Sequence, residues 1–420
     1  MKLPHRNLLE MLYRSAVEAA DPLTGIRHHL PVPPAHGRTV VVGAGKGAAQ
    51  MAAALESIWP APLDGIVVTR YGYGCVTRSI EVIEAAHPVP DRAGLDAAKR
   101  LFEKVSQLSS SDLVIALICG GGSALLPAPP DGFRLEDEIA LNEKLLASGA
   151  PISAMNVVRK HFSTIKGGRL AAATDARVVS LIVSDIPGDN PAFVASGPTV
   201  PDASTRHDAL AVIDYYKLDL SPAVIAYLNS PLADAPFPTS PVFARHEHNV
   251  IASAGVSLEV AARVAREHGY TSYILSDSIE GESRDVANVH AAVAREVALR
   301  DRPFRTPAIL LSGGETTVTL RGADGKGGRN SEFALAFALA IDGYDISALS
   351  ADTDGIDGSG PHAGAFIDGT TIRRLRASGL DARQLLARND SFSAFEAIGD
   401  FFSPGPTGTN VNDFRAILID

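Results

Sequence analysis

The chain has 420 residues, which at about 150 residues per domain predicts two or three domains with sizeable cores. Hydrophobic residues make up 46% of it and charged residues 20%, the balance of an ordinary globular protein, so bulk disorder is excluded. The formal net charge is −10 and no basic tract occurs, which makes nucleic acid and anionic membranes poor partners. Cys75 and Cys119 are the only cysteines, so neither a disulfide framework nor a zinc site is expected.

The N-terminal sequence lacks the apolar core of a signal peptide. The most apolar run, residues 113–119, is far shorter than the about 20 residues that a membrane helix needs. We therefore expect a cytoplasmic protein without membrane spans.

Short runs rich in valine and isoleucine alternate with amphipathic stretches, which predicts an α/β fold with largely parallel sheets. The predicted strands are residues 39–42, 66–69, 113–118, 178–183, 249–252, 272–275, 308–311, 347–350 and 415–419. The clearest predicted helices are residues 92–107, 135–148, 256–268, 284–300 and 332–341.

A proline-rich stretch at residues 230–241, SPLADAPFPTSP, interrupts this alternation. Proline fixes φ, lacks an N–H donor and disfavours helix in the residue before it. We therefore predict a boundary here, with domains 1–235 and 236–420, and a site in the cleft between them, where ligands commonly bind.

The first candidate site is the loop GAGKGA at residues 43–48, between a predicted strand and a helical stretch. Gly43, Gly45 and Gly47 would let backbone N–H groups approach an anion at the helix N-terminus. The loop also satisfies the loose dinucleotide fingerprint G-x-G-x-x-G/A, but the next predicted strand ends at Arg70 instead of an acidic residue. Because an arginine there suits a 2′-phosphate, binding of NADPH stays an alternative. The simplest interpretation of the loop is a tight turn between strand and helix with a solvated Lys46.

Other glycine-rich loops follow predicted strands and would form nests of N–H groups for phosphate. Their candidate residues are Gly120, Gly121, Gly122 and Ser123 in one loop and Gly313, Gly314 and Glu315 in another. The block GKGGRN at residues 325–330 opens a helical stretch, with Asn330 as its predicted N-cap. Arg329 would grip a carboxylate or phosphate with two parallel hydrogen bonds.

Acidic residues follow two further strands. Asp185 and Asp189, in SDIPGDN, could hold Mg²⁺ or accept the proton of a substrate hydroxyl, although such residues are also ordinary turn formers. The block ADTDGIDG at 351–358 is not an EF-hand, because Ala363 stands where that motif requires glutamate. Its acidic residues, Asp354 among them, could instead bind Mg²⁺, a substrate hydroxyl or a lysine.

Cationic residues lie between residues 156 and 169, on a helix that ends at glycine. Arg159 and Lys166 could bind substrate, but basic residues near a helix C-terminus are as often partners of its dipole. His87, before Pro88, is interpreted as a structural turn residue. The sequence contains no Walker motif, no G-x-S-x-G elbow and no H-E-x-x-H, which argues against P-loop NTPases and common hydrolases.

Taken together, these blocks resemble the class II glycerate kinases, also called the MOFRL family, many members of which carry the older label hydroxypyruvate reductase. The resemblance runs in order from about residue 7 to the C-terminus. Its blocks are GAGKGAAQM, CGGGSALL, NVVRKHFSTIKGGRLA, SDIPGDNPAFVASGPTVPD, LSGGETTVTL, GKGGRNSEFAL, DTDGIDG and PTGTNVND.

The resemblance implies a larger Rossmann-like N-terminal α/β domain and a smaller MOFRL-type C-terminal α/β domain. It also implies ATP-dependent phosphorylation of D-glycerate, generally to 2-phosphoglycerate, and a kinase that uses Mg²⁺. The family's glycine-loop lysine falls on Lys46, its GGRN arginine on Arg329, its TDG aspartate on Asp354, and its SDxPGD aspartates on Asp185 and Asp189.

For phosphoryl transfer, Lys46 and the first two glycine loops would neutralise phosphate, while Arg329 would bind the glycerate carboxylate or the γ-phosphate. Asp354 or Asp189 would accept the hydroxyl proton, with Mg²⁺ at Asp185 and Asp189, and Arg159, Lys166 and Asn330 would contact substrate. The alternatives are an NAD(P)H-dependent hydroxypyruvate reductase, for which no His–carboxylate pair is seen, and a non-catalytic sensor of a small anion. A homodimer is one option for the oligomeric state.

Overall fold

A computed structural model describes residues 4–320, 325–358 and 361–420, with Pro187 described by its backbone alone. The helices are α1 His5–Ala19, α2 Pro22–His28, α3 Ala48–Ile58, α4 Arg92–Ser106, α5 Gly122–Leu125, α6 Leu135–Ala147, α7 Ile152–His161, α8 Arg169–Ala172, α9 Arg206–Tyr215, α10 Pro222–Asn229, α11 Ala254–Glu267, α12 Ser283–Arg300, α13 Arg329–Ala340, α14 Thr371–Ala377, α15 Ala382–Ala387 and α16 Ser391–Ile398. The strands are β1 Thr39–Ala44, β2 Leu63–Arg70, β3 Ile80–Ala85, β4 Leu113–Cys119, β5 Arg177–Val183, β6 Glu247–Ala252, β7 Thr271–Glu282, β8 Ala308–Thr317, β9 Ile346–Asp352, β10 Gly364–Asp368, β11 Phe401–Phe402 and β12 Asp413–Ile419. Within the described residues, no helix combines the length and apolar character needed to span a membrane.

The chain divides into two compact units, and this division differs from the predicted segments 1–235 and 236–420. The first unit comprises residues 22–251, and the second comprises residues 1–21 together with 252–420. The proline-rich stretch at 230–241 is part of the first unit, because β6, which follows it, lies beside β5 in the same sheet. Ala233 in this stretch is buried, and Arg169 donates a hydrogen bond to its carbonyl oxygen.

The sheet of the first unit has the strand order β3-β2-β1-β4-β5-β6, and the pairs from β3 through β5 are parallel. Every residue of β1 and β4 is buried, as expected of central strands covered on both faces. In such a doubly wound sheet, ligands bind beyond the carboxyl ends of the strands where the strand order reverses. Here that point lies between β1 and β4. A separate apolar cluster joins α6, α7, α9 and α10.

The sheet of the second unit has the order β11-β10-β9-β12-β8-β7, and its strand directions differ from the prediction. The β7–β8 pair is parallel, whereas β8–β12, β12–β9, β9–β10 and β10–β11 are antiparallel. The two-unit α/β class is confirmed, but the expectation of a largely parallel sheet is wrong for this unit. Nearly all of β9 and all of β12 is buried, so their apolar runs look like those of parallel strands.

Helix α1 belongs to the second unit through its apolar face. Leu8, Leu9, Leu12, Tyr13 and Ala16 are buried in a cluster with residues of α11, β8, β9 and β12. The hydroxyl of Tyr13 donates a hydrogen bond of 2.8 Å to the carbonyl oxygen of Asp352 at the end of β9.

Truncation of Leu12 tests this assignment. Because Leu12 is fully buried, Leu12→Ala is expected to lower the free energy of unfolding by about 2–5 kcal/mol. Leu299→Ala is the matched control in the same unit, since Leu299 is 59% exposed, and should cost less than about 0.5 kcal/mol. Urea unfolding with limited proteolysis measures both effects, and early cleavage confined to residues 22–251 would contradict the assignment.

Candidate functional site

The loops after β1 and β4 interlock at the point where the strand order reverses. The N–H of Lys46 donates to the carbonyl oxygen of Gly120 at 2.8 Å, and the N–H of Gly47 donates to Sγ of Cys119 at 3.2 Å. Gly45 has φ +140°, and a Cβ there would overlap Sγ and the carbonyl oxygen of Cys119. The glycines of this loop therefore permit close backbone packing.

This packing does not fit the predicted phosphate contacts of the loop's own amides. Gly43 lies inside β1, and the N–H of Gly45 donates to the carbonyl oxygen of Val68 on the neighbouring strand. Since the N–H of Gly47 is also used within the protein, the loop can offer an anion mainly the side chain of Lys46.

The loop after β4 differs, because its amides are not used in this way. Gly121 has φ +80° and precedes the short helix α5. In the part of the chain that the structure describes, no acceptor pairs with the N–H groups of Gly121, Gly122 or Ser123, whereas the parallel pairing of Cys119 with Val183 engages the N–H of Gly120. Such a run of N–H groups at a turn is a suitable anion-binding concavity. The loop at 120–123 therefore stays a predicted phosphate site.

The side chains of Lys46 and His87 border this loop. A Cβ at Gly121 would lie 3.1 Å from both Cγ of Lys46 and Nε2 of His87. Desolvation, with smaller effects of Lys46 and Arg70, lowers the pKa of His87 to about 4, so its imidazole is neutral at pH 7. None of the ion pairs among the described residues includes Lys46. His87 was interpreted as a structural residue, and only the fold brings it to Lys46.

A series of side-chain hydrogen bonds holds Ser123 of the 120–123 loop in place. Ser123 shares a hydrogen bond of 2.8 Å with Ser196, whose hydroxyl donates to Oδ1 of Asn156 at 3.0 Å. Ser196 has φ +60°, a left-handed backbone that a residue other than glycine rarely adopts. Arg159, one helical turn beyond Asn156, donates from Nε to Oδ1 of Asn142 at 2.7 Å. Asn156 and Ser196 were not predicted, because their partners are far away in the sequence.

The ammonium group of Lys166 is already engaged in an ion pair within the protein. Its Nζ lies 2.6 Å from Oε1 of Glu138, and both residues are buried. The predicted contact of Lys166 with substrate does not fit this geometry, since moving the ammonium would leave the carboxylate of Glu138 buried and unpaired.

Of the two predicted metal-binding aspartates, Asp185 lies at the switch point, which is the place between β1 and β4 where the strand order reverses. Its carboxylate packs against Gly120 so closely that a Cβ on Gly120 would overlap it. Asp189 lies in the short 3₁₀ turn Pro187–Asp189 and has φ +51°. In the part of the chain that the structure describes, no group of three or more His, Cys, Asp or Glu side chains is arranged to hold a metal ion.

In the second unit, Arg329 lies within a cluster of carboxylates. Its Nε is 2.6 Å from Asp413, its Nη2 2.6 Å from Asp352 and its Nη1 3.0 Å from Glu315. Burial, with the neighbouring Asp354 and Asp413, raises the pKa of Asp352 to about 8 although Arg329 lowers it. Glu315 is the exposed member, with a side chain 55% accessible. An incoming anion could therefore replace it most easily.

The first turn of α13 is held by Asp357 from the TDG block. Its carboxylate accepts hydrogen bonds from the N–H groups of Asn330 and Ser331, at 2.9 and 2.8 Å, and from the hydroxyl of Ser331. The predicted N-cap Asn330 is wrong, because Asn330 lies inside the helix. Its buried side chain donates to Asp413 and accepts from Ser350, which does not fit direct contact with substrate.

The glycines Gly313 and Gly314 lie within β8 and are buried. Gly314 has φ +115°, and a Cβ there would overlap the backbone of Ile279 where the β7–β8 register shifts. This close strand approach does not fit the predicted phosphate loop. Asp354 follows β9 and accepts a hydrogen bond of 2.8 Å from the N–H of Ile356, so it stabilises a turn beside Asp352.

Comparison of the sequence with known proteins assigns the chain to a family. Residues 8–229 match the model of a domain of unknown function, DUF4147, and residues 308–413 match the MOFRL family. The chain is 39% identical to the D-glycerate 2-kinase of Thermotoga maritima, over 97% of each chain. The chain belongs to the MOFRL family of glycerate kinases. The family resemblance is confirmed, and with it the prediction of a kinase.

A solved structure and a relative with another name complete the comparison. The crystal structure of glycerate kinase from Thermotoga maritima superimposes with a TM-score of 0.89 at 38% identity, covering 99% of both chains. A putative hydroxypyruvate reductase of Agrobacterium vitis is 47% identical over 99% of this chain and 94% of that protein. Both names that the MOFRL family carries are thus found among the relatives.

The buried pair of Lys166 and Glu138 gives a stability prediction. Lys166→Met should lower the free energy of unfolding by about 3–5 kcal/mol, because it leaves a buried carboxylate unpaired. The control Lys99→Met breaks an exposed pair with Glu103 and should cost less than about 1 kcal/mol. Urea denaturation followed by circular dichroism measures the free energy of unfolding of both variants. A small loss of stability in Lys166→Met, together with a raised KM for glycerate, would instead identify Lys166 as a substrate contact.

The lowered pKa of His87 gives a pH prediction. An unfolded histidine has a pKa near 6.5, so below that pH the unfolded chain takes up a proton that folded His87 accepts only near pH 4. His87 should therefore reduce stability progressively as the pH falls from about 6.5 to 4, and His87→Gln should remove that part of the slope. Titration of the His87 ring by NMR checks the assignment, and a midpoint near 6.5 would refute it.

Proposed function

We propose that the protein is a glycerate 2-kinase that transfers the γ-phosphoryl group of ATP to the 2-hydroxyl of D-glycerate. The observation that carries the proposal is that Lys46, which has no ion-pair partner among the described residues, lies beside the available amides of residues 121–123. A cation and a row of N–H groups at the switch point of a doubly wound sheet suit a phosphate chain. The kinase names of the relatives agree with this chemistry.

In this proposal the first unit holds the transferring phosphates. Lys46 and the amides of residues 121–123 would offset the charge that develops on the phosphoryl oxygens, which is the main demand of phosphoryl transfer. Mg²⁺ bound by ATP would add further positive charge. Such ions bind through one or two carboxylates plus substrate phosphates, and Asp185 beside Gly120 is placed to supply one. Asp189 stays a predicted second ligand.

The second unit supplies a candidate carboxylate site and a candidate base. Arg329 would bind the glycerate carboxylate at the position of Glu315, its exposed partner. Asp413 and Asp352 keep the guanidinium oriented. Asp354, which matches the aspartate of the family's TDG block, would accept the proton of the attacking hydroxyl. The cytoplasmic location and a homodimer stay predictions.

The second candidate function is an NAD(P)H-dependent hydroxypyruvate reductase. It is favoured by Arg70, which ends β2 where a 2′-phosphate is bound in NADP enzymes, and by the name of the Agrobacterium relative. The amides of Gly45 and Gly47 argue against it, because they donate within the protein and are not available to a dinucleotide pyrophosphate.

Substitution of Lys46 tests the proposal. Lys46→Ala should lower kcat for ADP release from ATP plus D-glycerate by at least about 100-fold, the effect of removing one preorganised charge-stabilising donor. The matched control is Lys104→Ala, which removes a surface lysine paired with Asp64. Phosphorus NMR of the product identifies the acceptor hydroxyl. Hydroxypyruvate-dependent oxidation of NAD(P)H without ADP release would instead support the reductase.

A further inference from the structure

The loop after β2, residues 71–74, presents tyrosine rings to solvent. The side chains of Tyr71 and Tyr73 are 52% and 44% exposed. The guanidinium carbon of Arg70 lies 5.2 Å from the centroid of the Tyr73 ring. The hydroxyl of Tyr71 donates to Asp91, which fixes that ring at α4, so Tyr73 and Arg70 form the accessible aromatic–cationic surface.

This loop is held in one conformation by hydrogen bonds to its backbone. Oε1 of Glu84 accepts from the N–H groups of Gly72 and Gly74, at 3.0 and 2.9 Å. Nε2 of Gln50 donates to the carbonyl oxygen of Tyr73 at 3.0 Å. A preorganised aromatic surface binds a ligand with little ordering cost.

The loop also adjoins the loop that carries Lys46. The N–H of Gly45 donates to Val68, and the hydroxyl of Thr69 donates to the carbonyl oxygen of Lys46 at 3.0 Å. Gln50, which binds Tyr73, lies in the first turn of α3, directly after the Lys46 loop. The aromatic surface and the phosphate-binding lysine are therefore neighbours at one edge of the first sheet.

We propose that the adenosine part of the nucleotide binds on the surface formed by Tyr73 and Arg70, a subsite that rests on the proposed function. In doubly wound sheets the phosphates lie beyond β1 and the ribose lies toward the end of β2. Adenine stacks on aromatic rings and on guanidinium planes, and both are present here. The phosphate chain would then extend from this surface to Lys46 and residues 120–123.

The test separates adenosine from phosphate. For Tyr73→Ala we expect the KM for ATP and the inhibition constant of adenosine to rise at least about fivefold, the effect of losing one stacked base. The KM for glycerate and the inhibition constant of tripolyphosphate should change less than about twofold in the same variant. Tyr73→Phe should behave as the wild type because it keeps the ring. Tyr215→Ala is the matched control, since Tyr215 is exposed on α9.

Direct titration gives the reciprocal result. Lys46→Ala should weaken binding of tripolyphosphate and leave binding of adenosine unchanged. An unchanged KM for ATP in Tyr73→Ala, with phosphorylation of glycerate intact, would overturn the subsite and leave the proposed kinase in place. Binding of NADPH that is lost in Arg70→Ala, in a protein that releases no ADP, would overturn both.

Discussion

Beyond the ends of β1 and β4, two stretches of backbone lie so close together that a side chain on Gly45 has no room. The N–H of Lys46 and the N–H of Gly47 donate hydrogen bonds to Gly120 and Cys119, which joins the two halves of the first sheet at the point where the strand order reverses. Everything proposed for the first unit depends on this contact. Lys46 lies beside Gly121 here, and His87, Asp185 and the Tyr73 loop adjoin the same two loops.

The same constraint explains why glycine-rich loops in this sequence divide into two kinds. Gly43, Gly45, Gly313 and Gly314 permit one strand or loop to approach another, whereas residues 121–123 keep their amides available. In the sequence these loops look alike, because both kinds follow an apolar strand. What separates them is whether a neighbouring backbone fills the space, and that neighbour is remote in the chain.

Much of the fold could be predicted, and the missing parts have physical causes. All nine predicted strands exist, with longer ends, because buried apolar runs identify central strands. β3 was missed because it lies at the edge of its sheet and carries two glutamates, β10 because its apolar run is only three residues long, and β11 because it has two residues. Of the candidate site, Lys46 was predicted from its place in a glycine-rich loop and Arg329 from its place after the glycines of the block GKGGRN. His87, Asn156 and Ser196 carry no such signal, and the pairing of Lys166 with Glu138 depends on packing between separate helices.

The second unit is built from segments on either side of the first unit, and this has a consequence during synthesis. α1 is translated before the first unit, yet the surface that buries Leu8, Leu12 and Tyr13 is made of residues beyond 252. The whole of the first unit is translated in between and can fold as a domain inserted between the two parts of the other. The apolar face of α1 therefore stays uncovered until the residues beyond 252 have been translated, so this helix is buried later than the unit that follows it in the chain.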